Sequence, residues 1–152
     1  MMIWQRITCF LAVEIWIALL YYSPVALADI WICTEEEARS AETVVATANS
    51  WDQVYQQFRR YAHCDDGAIA EGFSESISFL LAEQWPDIQQ LGAILISHSA
   101  FQEFVIKHID ETVPSRRLEC IVRNVRERCP QGLEDICHEI ETEVIQALSL
   151  AE

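Results

Sequence analysis

From residue 34 onward, apolar positions recur every three or four residues, the spacing of a helix with one buried face. Ala38, Ala41, Val45 and Ala48 make the first stripe, small enough for close helix approach. Thr34 followed by Glu37 is a capping-box pattern at its start, and Glu35 and Glu36 suit the positive end of a helix. Ser50 with Gln53 repeats the pattern before Trp51, Val54, Tyr55, Phe58, Tyr61 and Ala62. The chain breaks at residues 63–66, where Asp65 or Asp66 is placed to cap a third helix from about Gly67 to Trp85. Its inward stripe is Ile69, Phe73, Ile77, Leu80 and Leu81, and Pro86 ends it. A fourth helix covers about 87–96. Ser99 with Gln102 reads as a third capping box, ahead of Phe101, Phe104, Val105 and Ile109. Pro114 and Ser115 restart the chain for Leu118, Ile121, Val122 and Val125. After a turn at 129–132 the last stripe is Leu133, Ile136, Cys137, Ile140, Val144 and Leu148. No alternating strand pattern of useful length interrupts the series. The pattern predicts an all-α fold, a single compact bundle of about seven short helices.

The first residues follow another pattern. Residues 1–6 carry one positive charge and no acid, and residues 7–22 are almost wholly apolar, broken by Glu14. Ala26-Leu27-Ala28 then supplies a small-x-small cleavage site. Together these predict a secretory signal peptide over 1–28 and a helical domain over 29–152, placed in the periplasm or secreted. The apolar stretch is shorter than the roughly 20 residues of a membrane span, so no membrane attachment is expected after cleavage.

Export makes the cysteines candidates for bridges. Of the six, Cys9 leaves with the signal. Many pairings of the remaining five are open to a bare sequence, but helix geometry selects among them. Cys33 precedes the first helix and Cys64 ends the second, so an antiparallel hairpin brings them together. Cys129 and Cys137 flank a Pro-Gly turn and face the same core. The expected bridges are therefore Cys33–Cys64 and Cys129–Cys137, which staple the bundle and leave Cys120 as the free thiol. At 100° per residue Cys120 falls roughly 160° from Leu118, beside Asn124 and Glu127 and toward solvent. An exposed spare thiol also admits a homodimer. No C-x-x-C pair occurs, which argues against a zinc ribbon.

Charge narrows the function classes. Ten Lys and Arg stand against 24 Asp and Glu, a net charge of −14. Nucleic acid is excluded as a partner, since phosphate binding requires a basic surface. Five of the nine basic residues beyond residue 28 fall within 116–128, and docking against acidic neighbours is the reading preferred for them. Asp65, Asp66, Glu71 and Glu75 form one acidic group, Glu139 and Glu143 another. Glu71 and Glu75 project with Ser74 and Ser78, opposite the apolar stripe, on a face expected to be solvated. Such faces suit a basic protein partner, since charge complementarity raises association rate and specificity. His108 falls among Phe101, Phe104 and Val105, which predicts a partly buried ring with one hydrogen bond. Motifs for serine, zinc or phosphate chemistry do not occur, so no catalytic residue, metal or cofactor is assigned.

The run His63-Cys64-Asp65-Asp66-Gly67-Ala68-Ile69-Ala70-Glu71-Gly72-Phe73-Ser74-Glu75-Ser76 resembles a segment of small exported bacterial proteins without an assigned activity. In size, leader, helices and cysteines the whole chain is similar to the Tai-type periplasmic immunity proteins, helical proteins that block amidase toxins delivered by type VI secretion. The second likeness is architectural and transfers no residue role. It implies an exported protein-binding module, an inhibitor or immunity-type protein acting on a secreted toxin or envelope enzyme. The alternative is a small periplasmic hydrolase, metal- or carboxylate-dependent, using Asp65, Asp66 and Glu71.

Overall fold

A computed structural model describes residues 32–151, so the leader reading of residues 1–28 lies outside the described residues. Seven α-helices follow one another: α1 (Glu35–Val44), α2 (Trp51–Tyr61), α3 (Gly67–Glu83), α4 (Ile88–Leu95), α5 (Ser99–Lys107), α6 (Ser115–Arg128) and α7 (Glu134–Leu150). Single 3-10 turns at Val45–Thr47, Ala62–Cys64 and Trp85–Asp87 tighten the exits of α1, α2 and α3. No strand occurs among the described residues, and the fold is all-α. None of these helices is long and apolar enough to cross a membrane.

Local chemistry explains most boundaries. At α1 both arms of the capping box form: the Glu37 amide donates to Thr34 Oγ1 at 3.2 Å, and the Thr34 amide donates to Glu37 Oε2 at 3.0 Å. At α2 the Gln53 amide donates to Ser50 Oγ, while Gln53 Oε1 accepts from the Asn49 amide, one residue earlier than the pattern requires. The box expected at Ser99 does not form. His98 occupies the cap without a side-chain bond to the helix start, and Gln102 Nε2 instead donates to Glu139 Oε2 on α7 at 2.7 Å. A bond to a carboxylate is stronger than one between neutral groups, and it draws the amide away from the helix start.

The stripes predicted for α3, α5, α6 and α7 supply the core: Ile69, Phe73, Ile77, Leu80, Phe101, Val105, Leu118, Ile121, Ile140 and Val144 are all buried. Phe73 meets Phe104 edge-on at 4.8 Å, and Phe104 in turn meets Phe58 at 4.8 Å. Helix α3 lies at the centre and is covered on more sides than its apolar stripe predicts. Ser74, Ser76 and Ser78 are buried, which corrects the expectation that Ser74 and Ser78 share a solvated face with Glu71 and Glu75. Small side chains make the extra cover possible. A Cβ added at Gly72 would lie 2.5 Å from Val45 Cγ2 and 3.3 Å from the Ala46 amide nitrogen, so only glycine admits the 45–47 turn at this distance. Ser76 Oγ donates to the Val45 carbonyl at 2.6 Å and satisfies the backbone that the close approach buries.

Both expected bridges are present. Cys33–Cys64 closes a separation of 31 residues and Cys129–Cys137 one of 8. Cys120 is the free thiol among the described residues, but it is half-buried rather than fully exposed. The helical wheel placed it beside Asn124, and Asn124 is buried, its amide donating to the carbonyls of Leu81 and Ala82. Helix α6 packs against α3 over a wider arc than its apolar residues alone mark.

Candidate recognition groove

The segment between α5 and α6 runs along α3, and three sets of bonds fasten it and its flanks to Asp65 and to α3. At the first tie, Asp65 follows the 3-10 turn after α2, with its side chain only 7% exposed. Its Oδ1 lies 2.9 Å from His108 Nε2 and its Oδ2 accepts from Lys107 Nζ at 2.6 Å. His108 is buried, and its Nδ1 lies 2.7 Å from the Phe104 carbonyl. That carbonyl can only accept, so Nδ1 carries a proton. The ring thus spends both nitrogens on the fold, one more bond than its position on the helix predicts.

At the second tie, Asp110 Oδ2 accepts from Ser74 Oγ at 2.9 Å, and its Oδ1 accepts from the Thr112 amide and hydroxyl. At the third, Arg117 Nη1 donates to Glu75 Oε2 at 2.6 Å and to Ser78 Oγ at 3.1 Å. Arg126 likewise meets Glu141, so part of the arginine cluster docks on acidic neighbours as expected.

Between the second and third ties, residues 112–114 form one wall of a groove of about 580 Å³, with α3 as the other wall and Ala46 at its edge. Glu71 and Glu75 line it, one helical turn apart on α3. Glu75 already holds a guanidinium. Among the described residues Glu71 makes no ion pair and no side-chain hydrogen bond. A second groove, of about 530 Å³, is lined by Asp65 and Asp66 together with Cys33, His63 and Cys64, and Ala68 borders both grooves. The fold therefore brings Asp65, Asp66, Glu71 and Glu75 to adjoining depressions. Glu139 and Glu143 sit on α7 and line neither. Glu139 is engaged by Gln102, and Glu143 is half-buried.

Sequence reasoning did not identify Ser74, Asp110, Thr112 and Arg117 as the residues that shape this site. A signal was present: Ala68, Gly72 and Ser76 recur every four residues, a small-residue row along which another segment can approach closely.

The carboxylates also set a pH dependence. Burial disfavours ionised Asp110, but the Thr112 hydroxyl and amide and the Ser74 hydroxyl outweigh it, with help from His108, and hold its carboxyl below the usual value. A carboxyl lowered in the folded state contributes stability above its unfolded value of about 4 and loses it as pH falls through the folded value. The wild-type chain is expected to lose urea resistance between neutral pH and about pH 3, and Asp110→Asn to narrow that difference. Equal differences in the two proteins would remove Asp110 from the account.

Comparison of the chain with protein-family models, with curated proteins and with solved structures finds no match. The site's own geometry therefore carries the functional reading.

Proposed function

We propose that this chain is an exported helical binding module, an inhibitor or immunity-type protein, that recognises a basic protein surface through the Glu71–Glu75 groove. The observation that carries this reading is the pinned wall. Residues 112–114 are held between the Asp110–Ser74 and Arg117–Ser78 ties, so the groove exists before a partner arrives. A preformed surface spends less binding free energy on ordering itself. The Arg117 guanidinium on Glu75 illustrates the group such a carboxylate accepts, and Glu71 offers the same chemistry one turn away. A net charge of −14 would steer a basic partner toward it.

The hydrolase alternative gains no such support. Asp65 is engaged by Lys107 and His108, and Asp66 caps α3 through the Gly67 amide. Asp65, Asp66 and Glu71 therefore hold separate posts instead of converging on one reacting centre.

The test begins with capture of a partner from an envelope extract and its identification. Association rates are then measured with the purified partner across a salt series. The double variant Glu71→Lys, Glu75→Lys should associate roughly tenfold more slowly at low salt, with a flatter salt dependence and unchanged helicity. An unchanged low-salt rate would exclude this face.

A further inference from the structure

The opening of α1 and the end of α2 bring together residues distant in sequence. Glu37, His63 and Cys64 each present a ligand-type atom, and the three atoms lie within 4.8 Å of one another. Cys33 Sγ joins them through its 2.03 Å bond to Cys64 Sγ. We propose that Cys33, Cys64, His63 and Glu37 are a redox-gated site for a zinc-type divalent cation, shut by the disulfide in the oxidised chain and available in the dithiol chain.

The donor set selects the ion. Two thiolates, an imidazole and a carboxylate suit a tetrahedral zinc centre, whereas calcium and magnesium take oxygen donors. The carboxylate is already oriented. Glu37 Oε2 accepts from the Thr34 amide and hydroxyl, which leaves Oε1 turned to His63 Nε2 at 3.4 Å. An outer-shell partner that fixes one oxygen while the other faces the ion is a recurrent feature of metal sites. The groove of about 530 Å³ lined by Cys33, His63 and Cys64 gives an ion its way in.

Two thiolates on one zinc stand roughly 3.8 Å apart, farther than the roughly 2 Å of any disulfide, so one cysteine must give way. Cys33 lies ahead of the first turn of α1, between exposed Ile32 and Thr34, where the chain can move without shifting a helix. A dithiol reductant or a thiol–disulfide oxidoreductase supplies the two electrons and two protons. The S–S bond breaks, both cysteines become thiols, and the reductant's dithiol becomes a disulfide. The cation then replaces the two thiol protons, which pass to water. Bond and ion close the same loop, so α1 stays fastened to the end of α2 in either state.

The test uses Co²⁺ as the probe on the purified chain, oxidised or reduced with a phosphine that is then removed. The oxidised chain should stay silent. The reduced chain should bind one equivalent with a thiolate-to-cobalt charge-transfer band that Zn²⁺ abolishes. His63→Ala and Glu37→Gln should each weaken binding about tenfold or more. Circular dichroism follows the helices in parallel. The proposal is overturned if the reduced chain takes up no stoichiometric cobalt, or if reduction melts the helices and cobalt does not restore them. It is equally overturned if the band persists in Cys33→Ser, Cys64→Ser or is unmoved in His63→Ala.

Discussion

Replacing His108 by alanine is expected to cost about 2–5 kcal/mol of folding stability, the range for truncating a large buried side chain, since it also leaves hydrogen-bond partners unsatisfied. The ring sits 4.2 Å from Phe104 and 5.6 Å from Phe73, so its loss also opens space in the aromatic core. Asp65 would keep Lys107 alone, whose side chain is 63% exposed, and the Phe104 carbonyl would lose its donor. Domains of this size are stable by about 5–15 kcal/mol, so the variant should stand near the limit of folding. Urea unfolding at neutral pH measures the loss. A cycle with Asp65→Asn should return a coupling of about 0.5–3 kcal/mol. A loss under about 1 kcal/mol, or sites that simply add, would mean that the Asp65–His108 contact does not hold the α5 exit to the end of α2.

The second large effect is expected at the longer bridge. Removing Cys33–Cys64 releases a separation of 31 residues, against 8 for Cys129–Cys137. Loop-closure entropy then gives about 3–4 kcal/mol for the first and about 2–3 kcal/mol for the second. The double serine variants should rank in that order in urea midpoint. Cys33→Ser, Cys64→Ser should also expose α1 first, because the bridge fastens the segment ahead of that helix to the end of α2. If the shorter bridge proves the costlier, native contacts rather than chain entropy set the value of these bridges. Limited proteolysis locates the opening: early cleavage within 35–50 agrees with this account, and early cleavage within α6 or α7 contradicts it.

The run from His63 to Ser76 shows how local pattern and tertiary contact divide the work. Cys64 pairs with Cys33, Asp66 caps α3, and Ile69 and Phe73 enter the core, all as their spacing predicts. Gly67 takes a φ of +50°, which its place behind the cap makes natural for glycine. Asp65, Gly72, Ser74 and Ser76 owe their roles to segments far along the chain: His108, Val45, Asp110 and the Val45 carbonyl.

By itself the sequence determined the helices, their apolar stripes and the two bridges. Those depend on the 3.6-residue period, on turn and cap chemistry, and on the closeness of antiparallel helix ends, all of which are local or nearly so. Periodicity says which residues share a face, but not what covers that face. Only the tertiary structure decided that α3 is wrapped on its serine side as well, that His108 uses both nitrogens, and that Gln102 leaves its cap for Glu139. It also decided which acids line a common groove and which stand apart on α7. A polar side chain is satisfied by whichever partner the folded chain brings within about 3 Å, and that partner is set by the packing of helices distant in sequence.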